Sequence, residues 1–133
     1  MRGQSSASTA VQAIDRLHDI LRQLARRPFP DGRHRDRTGV VRLTVPTMSW
    51  DAYIRLAFDE IRIAGAGSPQ IARRLMAALA DLQSVVPLER IQVLDKQVDL
   101  LSDATRAAMR DERDARRAIQ PDHEAIGVAA GRD

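Results

Sequence analysis

Cysteine is absent from this chain, and disulfides, zinc–thiolate sites and thiol catalysis are excluded with it. The absence fits a reducing compartment. Aromatics are nearly as scarce, with Phe29, Trp50, Tyr53 and Phe58 as the full set. A core must therefore come from Leu, Ile, Val and Ala, which favours helices packed on helices. Long apolar runs are missing too. The longest stretch without a charged residue or histidine is residues 3–14, rich in small polar side chains, whereas a bilayer-spanning helix needs about 20 apolar residues. The opening, MRGQSSAST, lacks the apolar segment of a secretory signal. The chain as it stands reads as soluble. Lysine is almost absent: of 21 basic residues, only Lys96 is not arginine.

What is present fits one globular domain. The 133 residues are of common domain size, with 44% apolar and 29% charged side chains. The formal charge of +3 and a pI near 10.4 point towards anionic partners, but the excess is local. Residues 1–47 hold nine Arg against four acids, while residues 48–133 hold 12 basic and 14 acidic side chains. A basic patch in the first third follows; a basic protein does not.

Periodicity predicts a mainly α fold: a four-helix bundle-like domain over residues 1–120, with one small β-hairpin at about 33–45 between helices one and two, and a loosely ordered tail at 121–133. Ala10, Ile14, Leu17, Leu21 and Leu24 recur at helical spacing and predict helix one over about 9–26, ended by Pro28. VVRLTV is β-branched and stops at Pro46, with DRTG as a turn and residues 33–35 as partner strand. An isolated hairpin is marginally stable, so the expectation is that it lies against the helices. Ser49 caps helix two, and Ser68 followed by Pro69 opens helix three. Pro87 opens helix four, which is expected to run on through RDERDARR as a solvated rod to about Ala118. Leu17, Leu21, Ile54, Phe58, Ile61, Leu75, Leu79, Leu94 and Val98 are the expected core.

Three groups of residues invite a chemical reading. Asp15, His18 and Asp19 share one turn of helix one, where a carboxylate orients a histidine for base catalysis or metal ligation. A metal would need further ligands, and His34 and His123 lie elsewhere; no G-x-S-x-G or comparable nucleophile motif exists. The simpler reading is a polar border beside the apolar stripe. Arg26, Arg27, Arg33, Arg35 and Arg37 form the basic patch, a candidate surface for phosphate. Without interleaved aromatics or a recognisable nucleic-acid motif, anionic lipid headgroups suit it better than nucleic acid. GAG before SP resembles a phosphate loop but lacks its lysine and spacing, so it reads as a helix–helix connection. No cofactor and no metal site are indicated.

STAVQAIDRLHDILRQLARRP and SWDAYIRLAFDEIRIAGAGSPQIARRLMAALADL together resemble the C-terminal soluble part of the domain of unknown function 2254 family, predicted bacterial membrane proteins. DRTGVVRLTVP is similar to the family's hairpin, and QPDHEAIGV to its ending, departing at Glu124 and Ala125. The resemblance implies a membrane-embedded portion outside this sequence, a bacterial inner-membrane location for the full-length family, and a cytoplasmic side for this part. It carries no catalytic residue, and no enzyme is expected. Asp15 and His18 match its pattern without a role.

The expected function is thus structural or protein-interacting, exercised by the helical end of a membrane protein. The alternative is a small ligand-binding or regulatory module using Asp15, His18 and the hairpin arginines. The chain is expected to be a truncated piece whose first helix leaves Val11 and Ala13 uncovered, and which self-associates or joins the membrane-embedded part.

Overall fold

The structure, a computed structural model, describes residues 2–120. Met1 and the expected tail at 121–133, with His123, Glu124 and Ala125, lie outside the described residues. The element order is α1 (Arg2–Leu24), β1 (Arg33–Arg35), β2 (Val41–Thr44), α2 (Trp50–Gly65), α3 (Pro69–Val85), α4 (Leu88–Ala108) and α5 (Glu112–Ile119). The mainly α class and the hairpin between the first two helices are as the periodicity predicts.

The helix boundaries follow local chemistry. The Ser49 hydroxyl accepts from the backbone N–H of Ala52 and starts α2. Pro69 occupies the first turn of α3, where its missing N–H costs nothing. Between these helices Gly65 permits a close approach. A Cβ there would lie 2.4 Å from Cγ2 of Ile71, so any side chain would push α3 away. α1 begins seven residues earlier than its apolar stripe predicts, at Arg2.

α1 and α3 run in the same direction. Asp15 meets Arg74, Arg22 meets Asp81 and Arg26 meets Val85, a constant offset of 59 residues over about three turns. The hairpin and α2 form the crossover that makes this possible. α3 then turns into α4 at Val86 and Pro87, and Gln83 donates to Asp95 across that corner at 2.7 Å. The core is mainly aliphatic, centred on Ile14, Leu21, Ile54, Leu75, Leu79, Leu82, Leu94 and Leu101, with Phe58 among them. Leu17, Ile61 and Val98 of the expected core pack at its margin, partly buried. Val11 is half-buried and Ala13 exposed.

Two expectations are corrected. The charged stretch after Ala108 is not a continuation of α4. The chain breaks at residues 109–111, the Asp111 carboxylate caps a new start by accepting from Arg113 N–H at 2.8 Å, and α5 folds back over α3 and α4. Only Ala115 and Ala118 are small enough to let this polar helix approach, and both are buried. Glu112 pairs with Arg116 at 3.5 Å as helical spacing predicts. The hairpin, second, does not lie against the helices: apart from Asp36, every residue from 33 to 49 is exposed. It is held at its tip and its root instead.

Candidate functional site

The polar residues of α1 meet α3 along the parallel seam. His18, 8% exposed, places Nε2 at 2.6 Å from Oδ2 of Asp81. Arg22, one turn on, donates through Nη1 to both oxygens of the same carboxylate, at 2.6 and 2.5 Å. Asp15, one turn back, receives Arg74 in a two-point pair, Nη2 donating to Oδ2 at 2.8 Å with Nε 2.6 Å from Oδ1. The spacing explains the alignment: Asp15 and Arg22 are seven apart on α1, and Arg74 and Asp81 are seven apart on α3. Two turns separate each pair, so both ion pairs form on one face. Burial pushes the Asp81 carboxyl up, but hydrogen bonds from Arg22 and His18 and their charges outweigh it and hold it below the usual carboxylate range.

Of the first candidate group, then, Asp15 and His18 share the seam, 59 and 63 residues from their partners. Asp19 faces away, exposed, with no ion pair or hydrogen bond among the described residues. The histidine's Nε2 is occupied by a carboxylate, and among the described residues no hydroxyl nucleophile is bonded to it. Among the described residues no group of three or more His, Cys, Asp or Glu could hold a metal ion.

The arginines divide into separate tasks. Nε of Arg26 donates to the carbonyl of Val85 at 2.9 Å, holding the ends of α1 and α3 together. Nη1 of Arg35 donates to the carbonyl of Gly39 within the hairpin turn. Arg27, Arg33 and Arg37 are exposed, and their guanidinium groups meet no acceptor among the described residues.

Sequence reasoning missed Arg90, the most connected cation among the described residues. Its guanidinium donates to the carbonyls of Leu24, Ala25 and Arg27, at 3.2, 2.5 and 2.6 Å, and so closes the C-terminus of α1. It also lies over the rings of Phe29 and Trp50, with centroids at 4.6 and 5.5 Å, while Nε1 of Trp50 donates back to the Arg90 carbonyl. Gln97, buried on α4, donates to Asp59 at 2.8 Å and accepts from Arg62, tying α2 to α4. The only signal for Arg90 was a lone cation in the first turn of a helix, where the dipole disfavours it.

The family described as predicted membrane protein, domain of unknown function 2254, matches over residues 5–81. The chain belongs to this family. The match takes in α1 from residue 5, the hairpin, α2 and α3 as far as Asp81, so Asp15, His18, Arg22, Arg74 and Asp81 of the seam all lie within it. QPDHEAIGV, similar in sequence to the family's ending, falls beyond the match. No helix among the described residues is long and apolar enough to cross a membrane. No curated protein and no solved structure matches the chain.

Proposed function

We propose that this is an extramembrane helical module of a membrane protein, acting by packing and by contact with the membrane-embedded part rather than by chemistry of its own. The observation that carries the reading is the seam. The residues that look most like a catalytic pair, Asp15 and His18, are matched to Arg74 and Asp81 of a helix on the far side of the hairpin and α2. An acid–histidine pair kept for catalysis would face a cleft; this one joins two core helices.

Substitution separates the readings. H18A and D81N should each cost about 1–3 kcal/mol, a melting point several degrees lower for a chain of this size. The double variant should cost less than the sum, because either change breaks the same contact. Asp81 also has a pH signature. Its folded-state pKa lies below the unfolded value of about 3.9, so its contribution is whole above that value and is lost as pH falls through the folded one. D81N should lose less stability on acidification than the wild type. Single variants that melt at or above the wild-type temperature would mark the pair as a site held at the expense of stability, and would overturn the reading.

A further inference from the structure

The hairpin is the part of the molecule least explained by its own packing. It is not loose. Oδ1 of Asp36 accepts from the Thr38 hydroxyl at 2.6 Å, from Thr38 N–H at 2.8 Å and from Val40 N–H at 3.1 Å, and Oδ2 accepts from Nε of Arg42 at 2.7 Å. These bonds keep the Asp36 carboxyl ionised, at about 2. At the root, Val45 N–H donates to Gly32 at 2.8 Å and the Thr47 hydroxyl donates to the Pro30 carbonyl at 3.0 Å. Phe29, just before it, is stacked on Trp50 and Tyr53.

This stiff arm carries two kinds of surface at once. Val40, Val41, Leu43 and Val45 are exposed, Leu43 by 57%. Over residues 33–45 four arginines stand against the single Asp36. Exposed apolar strand residues are ordinarily covered, and the cations select the cover. A second hairpin would bring arginines against arginines. The open groove of about 500 Å³ on α2, beside Met48 and Leu56, offers a second copy little charge: Asp51 is paired with Arg55 and Asp59 with Arg62, leaving Glu60. A polyanion such as nucleic acid would satisfy the arginines but leave the valines and Leu43 in water. An anionic bilayer meets both, with phosphates for the guanidinium groups and an acyl boundary for the apolar side chains.

We propose that the hairpin is a membrane-interface arm that docks on an anionic bilayer surface, Arg33 and Arg37 on lipid phosphates and Val41 and Leu43 at the acyl boundary. The inference rests on the membrane-protein reading above and names the surface that module would touch.

Flotation of the full chain with vesicles tests it, using phosphatidylcholine alone or mixed with phosphatidylglycerol. The chain should float with the mixed vesicles and not with the neutral ones. R33Q/R37Q should weaken this on the order of tenfold. V41T/L43T, which places a strand-favouring β-branched residue at both positions, should abolish the part of the binding that survives high salt. Both variants should melt as the wild type does, since neither touches the core. Equal flotation with neutral vesicles, or variants that float like the wild type, would overturn the proposal. So would a dimer that V41T/L43T dissociates while vesicles recruit nothing, the signature of a second copy as occupant. The melting experiments on His18 and Asp81 do not involve the hairpin, so the two readings fail separately.

Discussion

Arg90 shows how much one side chain decides. The last carbonyls of a helix have no partner within it, and here Leu24, Ala25 and Arg27 are served by a guanidinium from α4, 63 to 66 residues away. Its planar fork reaches several oxygens while its face rests on Phe29 and Trp50. R90A should therefore cost about 2–4 kcal/mol, more than a surface arginine is worth. R90K keeps the charge but not the fork, and should recover only a minor part. Chemical denaturation of both variants measures this; an R90K variant as stable as wild type would show that charge alone suffices. His18 and Asp15 obey the same logic: their significance lies in what α3 brings to them.

At the scale of elements, the hairpin depends on one glycine. Gly32 has φ +75, in the left-handed region, and a Cβ there would lie 1.9 Å from the Val45 carbonyl oxygen. No side chain fits without opening the root. G32A should therefore cost about 1–3 kcal/mol and release the hairpin locally, leaving the helices folded. Hydrogen exchange should show lost protection at Val45 with α1 and α3 unchanged; retained protection there would mean that the root is not what holds the arm. Gly39, at φ +84 in the turn, meets open space, so only its backbone conformation would resist substitution.

The whole molecule is closed by α5. Five of its eight residues are charged, yet it covers α3 through Ala115 and Ala118, 2% and 0% exposed. A carboxylate at the second position would have to be buried unpaired or expelled. A118D should detach residues 112–119 while the α1–α4 core persists, so exchange protection would vanish over α5 and the melting temperature fall by a few degrees. Protection retained over α5 would show that the helix is held by its ion pairs rather than by these alanines.

The spacing of apolar residues, Ser49, Pro69 and the β-branched run at 40–45 are sufficient to place the first four helices and the hairpin, because those signals act within a few residues. The polarity of Asp15 and His18 was legible in the same way; their partners were not. Arg74 and Asp81 reach them only because α1 and α3 lie parallel, and that alignment depends on the whole crossover through the hairpin and α2. The direction of α5 was hidden for a similar reason. Its stripe is short, Ala115, Ala118 and Ile119, and two alanines become a contact only when α3 arrives opposite them. Nor could local pattern tell that the hairpin stands clear of the helices. A strand's sequence states which residues are apolar, while the packing of every other element decides whether anything covers them.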